Sequence, residues 1–491
     1  MQENNGLFTA LTITAYYNKI LYMKLQKCTD IVLKACAGVL LAFAFILTFT
    51  VSDYYIFNRI SEFGVVFVLS QWIKKAGLLI IPLAVYYNKK CCSDIAKYVL
   101  PVFVIISCFT FGNFFNVSAV NENSAPSELI YAHINGFIPK WANMALFVSS
   151  NALYLAVCAG LFIRDGYKVR AKSFIWLPAS IAACAPLNIF ENFFNIDDIP
   201  ADSFLRFRNF TVWHALAVLI LAGFTVACYY FLKNKDKRAQ SDYLIAGAIV
   251  MLIQYHSKDS MVMGDGYNVY HTVFACIPLF ICNIGVYVAG LSVIIKKRVT
   301  YSMAFFIHAA GAISVFVYFG RDEMSDYGIF CSYSILYFCL THCLLFALSV
   351  LPSALGHYKF RFKDCIIPLA YYFAVIVIAS IASALVSSAS MDFSYGGFVL
   401  GDDYLLPNYA FTQINPLPFE VPMWRLTIWR YDLNALYIIG LYAFYVGIFA
   451  VFNAFYFLFL FLRKKILAIG KPSAAPEIQA EAALTDSEKE D

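Results

Sequence analysis

Apolar runs of about 20 residues recur along the whole chain, separated by short polar segments. A bilayer core of about 30 Å requires an α-helix of this length. The pattern therefore predicts an all-α polytopic membrane protein with about twelve transmembrane helices. The predicted spans are 31–52, 64–87, 98–116, 142–163, 174–194, 211–232, 242–256, 272–295, 302–319, 328–351, 366–388 and 434–462. The seventh run is short for a full span.

Lys and Arg are concentrated in alternate connections between these runs. The clusters are Lys19–Lys27, Lys89–Lys97, Arg164–Lys172, Lys233–Arg238, Lys296–Arg298, Lys359–Lys363 and Arg463–Lys465. The remaining connections are poorer in Lys and Arg and carry most of the acidic loop residues. By the positive-inside rule, both termini are predicted to be cytoplasmic, and the chain is predicted to be a multi-pass protein of the plasma (cytoplasmic) membrane.

The composition agrees with a membrane protein and excludes several other classes. The chain is 61% hydrophobic and 14% charged, whereas soluble domains have about 25% charged residues. The net charge of +5 comes from the topology clusters and does not indicate a nucleic-acid partner. Most of the 14 Cys lie in apolar runs, and their spacing matches no zinc site. We predict no metal, no cofactor and no cleavable signal peptide.

Similar hairpins in the two halves suggest an internal duplication. The segment YKVRAK (167–172) resembles YKFRFK (358–363), and Lys pairs end the second span of each half. The predicted units are a cytoplasmic segment 1–30, a six-helix bundle 31–238, and a second six-helix bundle 240–465. The second bundle contains an outer loop, 389–433, predicted to be an ordered lid. An acidic, disordered tail follows at 472–491.

The duplication aligns residues of possible chemical interest. Lys75 falls at the position of Cys282, and Asn151 at the position of His342. At 1.5 Å per residue, Cys282 and His342 lie about 20 Å and about 14 Å from the cytoplasmic ends of their helices. A His within reach of a thiol can deprotonate it and create a nucleophile. A structural His bonded to a neighbouring carbonyl is the alternative, and His308 is a competing base.

Lys74 and Lys75 lie well inside the second predicted span. Ionisable residues at such a depth are costly and are commonly functional. They could anchor a lipid phosphate or carboxylate, or form a substrate site in a transporter. A structural ion pair with Glu191 is the alternative. Asp402 and Asp403 in the outer loop are predicted to form a solvated turn rather than a cation site.

Three segments of the second half resemble the YwaF-like integral membrane family. They are IPLFICNIG (277–285), FCLTH (338–342) and LPNYAF (406–411), and the resemblance covers residues 242–465. A eukaryotic branch of that family acts as an ether-phospholipid acyltransferase with an intramembrane Cys and His. A group of small membrane hydrolases of fatty-acid esters is also similar.

The resemblance carries over to some positions and not to others. It implies that His342 occupies the catalytic-type His position and that Cys282 matches the Cys of the bacterial motif. The acyltransferase Cys would fall on Leu279, and Phe280 replaces the motif His.

The leading hypothesis is an intramembrane lipid acyltransferase or acyl-ester hydrolase. In it, Cys282 is the nucleophile, His342 is the base and then the acid, and Lys75 or Asn283 steadies a headgroup or oxyanion. The partner is a membrane lipid or a lipid-like substrate. A transporter with two parallel six-helix repeats and a non-catalytic membrane scaffold are the alternatives.

Overall fold

The computed structural model describes most of both halves. The described residues are 3–50, 56–57, 60–112, 140–187, 189, 203–264, 277–317, 332–390, 409–413 and 420–469. Over these ranges the chain is almost entirely α-helical, as the apolar pattern predicts.

The described residues of the first half form a one-turn helix, Ile60–Phe63, and seven longer helices. These are α1 (Glu3–Thr50), α2 (Val65–Val85), α3 (Lys90–Tyr98), α4 (Leu100–Phe109), α5 (Lys140–Asp165), α6 (Trp176–Ala183) and α7 (Val212–Leu232). A 3-10 turn, Ala171–Ile175, precedes α6.

In the second half, seven helices lie within the ranges that the structure describes. These are α8 (Lys237–Gly264), α9 (Ile281–Ile295), α10 (Arg298–Met303), α11 (Ala310–Val317), α12 (Tyr333–Ala354), α13 (Ile366–Ser390) and α14 (Ala435–Ile469). A π-helical segment, Ala304–Ala309, joins α10 to α11. The 3-10 turns are Phe362–Cys365 and Tyr409–Phe411, and an antiparallel hairpin pairs β1 (Arg425–Ile428) with β2 (Tyr431–Asn434).

Nine helical stretches among the described residues are long and apolar enough to cross a membrane. This confirms the predicted all-α polytopic membrane class. The stretches correspond to predicted spans one to four, six and nine to twelve. Helix α8 covers the seventh predicted span, while α6 and α9 are shorter than the fifth and eighth. The number of crossings and their orientation therefore stay predictions.

Both short helices adjoin a proline. Helix α9 begins only at Ile281, because residues 277–280 around Pro278 are not helical. A proline lacks an N–H and restricts the residue before it. The predicted eighth span is thus not continuously helical in its described part. Helix α6 ends at Ala183, shortly before Pro186.

The broken end of α6 is held by side chains from other helices. Trp72 donates from Nε1 to the carbonyl of Ile181 at 2.9 Å. Gln254, on α8, donates from Nε2 to the carbonyls of Ala183 at 2.9 Å and Ala185 at 3.1 Å. Carbonyls left without helix partners are thereby satisfied inside the protein, as a membrane interior requires.

The two halves share one hydrophobic core. Residues of α2, such as Ile80, and of α8, such as Met251, belong to the same buried cluster. At the predicted cytoplasmic end, Lys89 of the first half pairs with Asp242 of the second. The halves are therefore packed as one unit across the α2–α8 contact.

The hairpins that suggested a duplication have matching local structure. Gly166 and Gly356 end α5 and α12 with φ of 70° and 72°, and each is followed by a 3-10 turn. Asp94 of α3 pairs with Arg170 at 3.1 Å, whereas Arg298 of α10 pairs with Asp364 at 2.5 Å. In each half, an ion pair joins the helix after the second predicted span to the segment after the fourth. The acidic and basic partners are exchanged between the halves. This shared arrangement supports the proposal of a duplication.

His357, which follows α12, gives a testable pH dependence. Burial, together with Lys237 and Lys296, lowers the pKa of His357 below its usual 6.5. As the pH falls, His357 is therefore protonated in the unfolded chain before it is protonated in the folded chain. The folded state loses stability as the pH falls below about 6.5. We expect the thermal midpoint to fall between pH 7.5 and pH 5, and His357→Asn to reduce that fall. Thermal melts of the detergent-solubilised protein would check this, and equal falls in both proteins would contradict it.

Candidate functional site

Gly285 marks a close approach of α9, α12 and the π-helical segment Ala304–Ala309. A Cβ at this position would lie 2.7 Å from Nδ1 of His308 and 3.2 Å from Cδ1 of Leu345. Close by, a Cβ at Gly311 would lie 3.4 Å from Ile281. Helices α9 and α12 and the π-helical segment therefore meet around the first turns of α9.

The Gly285–Leu345 contact sets the register between α9 and α12. The C-terminal ends of these helices lie together, since His357 after α12 is within electrostatic reach of Lys296 after α9. The two helices are therefore parallel. Three residues back from Gly285 is Cys282, and three residues back from Leu345 is His342. Each therefore lies about 4.5 Å closer to the N-terminal end of its helix than the contact between Gly285 and Leu345. The two residues are thus at the same level on adjoining helices.

Helix geometry also gives the direction in which Cys282 projects. On α9, a Cβ at Gly290 would face α8, with Ala248 and Leu252 at 3.9 Å, while Gly285 faces the π-helical segment and α12. At 100° per residue, Cys282 falls between these two directions. Its half-buried side chain therefore projects between the face of α9 that meets the π-helical segment and α12 and the face that meets α8.

Cys282 lies in the first turn of α9. Phe280 caps this helix with an extended backbone, and the first intrahelical bond runs from the N–H of Ile284 to the carbonyl of Phe280 at 2.9 Å. The N–H groups of the first turn lie outside the intrahelical ladder, at the positive end of the helix dipole. Such a position favours a thiolate or an oxyanion.

The ring of His342 is oriented by aromatic neighbours and by its own helix. It is 8% exposed, stacks on Phe338 at 4.0 Å and makes an edge contact with Phe316 at 6.2 Å. Its Nδ1 donates to the carbonyl of Phe338 at 2.9 Å. With the proton on Nδ1, a neutral imidazole carries its basic lone pair on Nε2.

His308 lies one turn deeper, inside the π-helical segment. It is 1% exposed, and its Nε2 hydrogen-bonds to the hydroxyl of Tyr371 on α13 at 3.1 Å. Its Nδ1 side lies against Gly285 and the backbone of Ile281. His308, the predicted competing base, therefore lies beside α9. Its partner Tyr371 was missed, because no spacing in the sequence links residues 63 positions apart.

A short segment of the outer loop covers the N-terminal end of α9. Tyr409 and Phe411 contact Phe280 with ring centroids at 6.3 Å and 5.7 Å. Thr412 and Gln413 hydrogen-bond to Ser383 and Ser387 of α13 at 3.1 Å and 2.7 Å. Ala410 and Phe411 have φ of 50° and 60°, in the left-handed region that is costly for residues other than glycine. This part of the predicted lid is packed in place.

Lys74 and Lys75 are both buried in α2 but lie in different surroundings. Lys74 donates to Gln71 Oε1 and Ser107 Oγ at 3.2 Å each, and its Nζ is 4.6 Å from the Phe147 ring centroid. The Nζ of Lys75 is 5.9 Å from the Phe57 ring, and its charge reaches Cys184 at the end of α6. These contacts are with residues of the first half, so the structure does not bring Lys75 to Cys282.

Asn151, the aligned counterpart of His342, belongs to the same polar region as Lys74. It is 2% exposed and donates to the carbonyl of Phe147 at 2.9 Å. Asn283, next to Cys282, is half-buried in the first turn of α9. Within the described part of the chain, no group of three or more His, Cys, Asp or Glu side chains could hold a metal ion.

His214, at the start of α7, is a further buried histidine. His214 accepts from the N–H of Phe210 at 2.8 Å and donates to the carbonyl of Phe316 at 2.7 Å, which is a structural role. Glu191, Asp402 and Asp403, as well as the tail 472–491, lie outside the described residues.

A family model described as the TMEM164 family matches residues 206–452, slightly more than half of the chain. The YwaF-like name suggested by the short motifs is not confirmed. No curated protein and no solved structure matches the chain.

Proposed function

Because the chain belongs to the TMEM164 family, a multi-pass membrane family, we propose that it is an enzyme that transfers or hydrolyses lipid acyl chains inside the membrane. Cys282 is the proposed nucleophile and His342 the proposed base. The observation that carries the proposal is the shared level of these two residues on the parallel neighbours α9 and α12. The equal level is inferred from the register of the Gly285–Leu345 contact.

The proposed reaction has two halves that balance. Nε2 of His342 accepts the thiol proton of Cys282, and the thiolate attacks the carbonyl carbon of a lipid ester. A C–S bond forms, the C–O bond breaks, and the leaving alkoxide takes the proton back from His342. In the second half, an acceptor hydroxyl or water gives its proton to His342 and attacks the thioester. The product leaves, and the proton returns to the Cys282 thiol.

Two features of α9 support the proposed chemistry. The first-turn N–H groups around Cys282 and Asn283 are suited to stabilise the oxyanion of the tetrahedral intermediate. Phe280, Tyr409 and Phe411 form an aromatic cover next to this turn and reduce the access of water. Lys74 and Lys75 remain proposed anchors for an anionic headgroup, in the first half.

The direct test is to trap the acyl-enzyme. The full-length protein in phospholipid nanodiscs would be incubated with a p-nitrophenyl acyl ester, which transfers its acyl group and releases p-nitrophenol, and analysed by peptide mass spectrometry. We expect acylation at Cys282, lost in Cys282→Ala and strongly slowed in His342→Ala.

Cys343→Ala is the matched control. Cys343 is one residue after His342, is 2% exposed and packs in the cluster of α7, α11 and α12. Labelling should persist in this variant. Undiminished labelling of Cys282→Ala at another residue would refute the proposed nucleophile.

A transporter is the second candidate, favoured by the broken helix α6. Discontinuous helices beside buried charged groups are a common plan of substrate sites in transporters. Helix α6 ends next to Cys184, which Lys75 reaches electrostatically. Uptake of an anionic substrate into proteoliposomes that is lost in Lys75→Ala, together with no acylation of Cys282, would favour this alternative.

A further inference from the structure

His308 and Tyr371 connect the first turns of α9 to α13. Tyr371 lies on α13 and meets Nε2 of His308 at 3.1 Å, with the two rings 5.7 Å apart in an edge arrangement. The opposite edge of the His308 ring rests on Gly285. A buried imidazole held on both edges has a single defined orientation.

The fit against α9 depends on the absence of a side chain at residue 285. A Cβ there would lie 2.7 Å from Nδ1 and 3.0 Å from Cγ of His308, which is closer than such atoms pack. Gly285 is four residues after Ile281 and three after Cys282. The ring therefore supports the turn of α9 that carries the proposed nucleophile.

The local backbone around His308 is unusual. Residues Ala304–Ala309 form a π-helical segment between α10 and α11. Single π turns widen the helix at a cost in stability and occur frequently at functional sites. Here the widened turn carries the buried His308. The placement of this ring is thus specified by the backbone, by Tyr371 and by Gly285 together.

From this geometry we propose that His308, oriented by Tyr371, is a positioning residue that fixes the first turn of α9 and thereby the reactive orientation of the Cys282 thiol. This inference rests on the proposed function in one respect, the identity of the nucleophile. His308 acts through the backbone of Ile281 and Gly285 and does not replace His342 as base. Small displacements of a nucleophile can cost a large part of its rate.

The variants that test this are Tyr371→Phe and His308→Gln. Tyr371→Phe removes the hydroxyl and keeps the ring. In His308→Gln the side-chain amide can still reach the Tyr371 hydroxyl, so this variant serves as a conservative rescue. His308→Ala removes both contacts. Tyr442→Phe is the matched control, since its hydroxyl donates to Leu369 at 3.3 Å and lies on the α13–α14 contact.

The readout is the alkylation rate of Cys282 by N-ethylmaleimide in nanodiscs, resolved by peptide mass spectrometry across a pH series. We expect Tyr371→Phe and His308→Ala to change this rate by about 3- to 10-fold, with partial recovery in His308→Gln. Tyr442→Phe should match the wild type. In acyl turnover, Tyr371→Phe should lower kcat and leave KM unchanged, an asymmetry that a purely structural contact does not predict.

The failures of the two proposals are distinguishable. If Cys282→Ala retains full acyl turnover, the proposed function fails, while the alkylation rates still report the position of the thiol. If Cys282 is acylated but its alkylation rate is the same in the wild type, Tyr371→Phe and His308→Ala, the positioning role is refuted. Equal changes in Tyr371→Phe and Tyr442→Phe would also refute it.

Discussion

Replacing His342 with glutamine is expected to lower kcat for acyl turnover by about 10²- to 10⁴-fold, the usual contribution of a general base. Glutamine can keep a hydrogen bond from its amide to the carbonyl of Phe338, but it has no basic nitrogen. The variant would therefore lack the proposed proton acceptor of the Cys282 thiol. The helix should be retained, because glutamine is a good helix former and is similar in size.

The measurement is steady-state turnover of a phospholipid acyl donor with a lysophospholipid acceptor in nanodiscs. The pH–rate profile of His342→Gln should also lose the limb that belongs to the base. His256→Gln is the control, because His256 lies on α8 and meets the hydroxyl of Tyr287 at 3.2 Å, on the face of α9 opposite Gly285. Its turnover should stay within about twofold of the wild type, as expected for a group outside the reaction. Equal turnover in the two variants would exclude His342 as the base.

Replacing Gly285 with alanine is expected to destabilise the fold although alanine is the better helix former. The added Cβ would lie 2.7 Å from His308 and 3.2 Å from Leu345, so both helices must move. Overpacking of this kind costs about 1–3 kcal/mol. The gain in helix propensity of about 0.5–1 kcal/mol offsets only part of that cost. The thermal midpoint should fall, and acylation of Cys282 should fall with it.

Gly290→Ala provides a matched control on the same helix. A Cβ at Gly290 would meet Ala248 and Leu252 at 3.9 Å, an ordinary van der Waals distance. This variant should be as stable as the wild type or more stable by up to about 1 kcal/mol. Differential scanning fluorimetry of the two variants in one detergent would give the comparison. A midpoint for Gly285→Ala at or above that of Gly290→Ala would contradict the close packing of Gly285 against His308 and Leu345.

Much of the fold follows from the sequence because the membrane leaves few alternatives. A lipid environment requires each spanning segment to satisfy its own backbone hydrogen bonds, so an apolar run of about 20 residues predicts a helix. This holds for long runs such as Ala435–Leu462 and Val212–Leu232. It is less accurate near Pro186 and Pro278, where helices α6 and α9 end or begin inside a predicted span.

Parts of the candidate site were also accessible from sequence. Cys282 and His342 stand out as polar residues in apolar runs of neighbouring spans, and counting residues from the basic clusters predicts similar depths. The aligned position of Lys75 did not predict a shared site, since the structure places it against Phe57 in the first half. Aligning the two halves identifies positions that are equivalent in two separate helix bundles. Equivalent positions lie in different bundles and need not be in contact with each other.

The sequence by itself determined the class of protein and most of its long helices, because hydropathy acts along the chain, and it predicts the depth of the candidate residues from the helix rise. Only the tertiary structure decided which faces meet. The parallel contact of α9 with α12 at Gly285, the bond between His308 and Tyr371, and the seating of Phe411 on Phe280 join residues distant in sequence. Such contacts depend on the rotation and register of packed helices, which are set by side-chain shape between helices and leave no periodic signal within one of them.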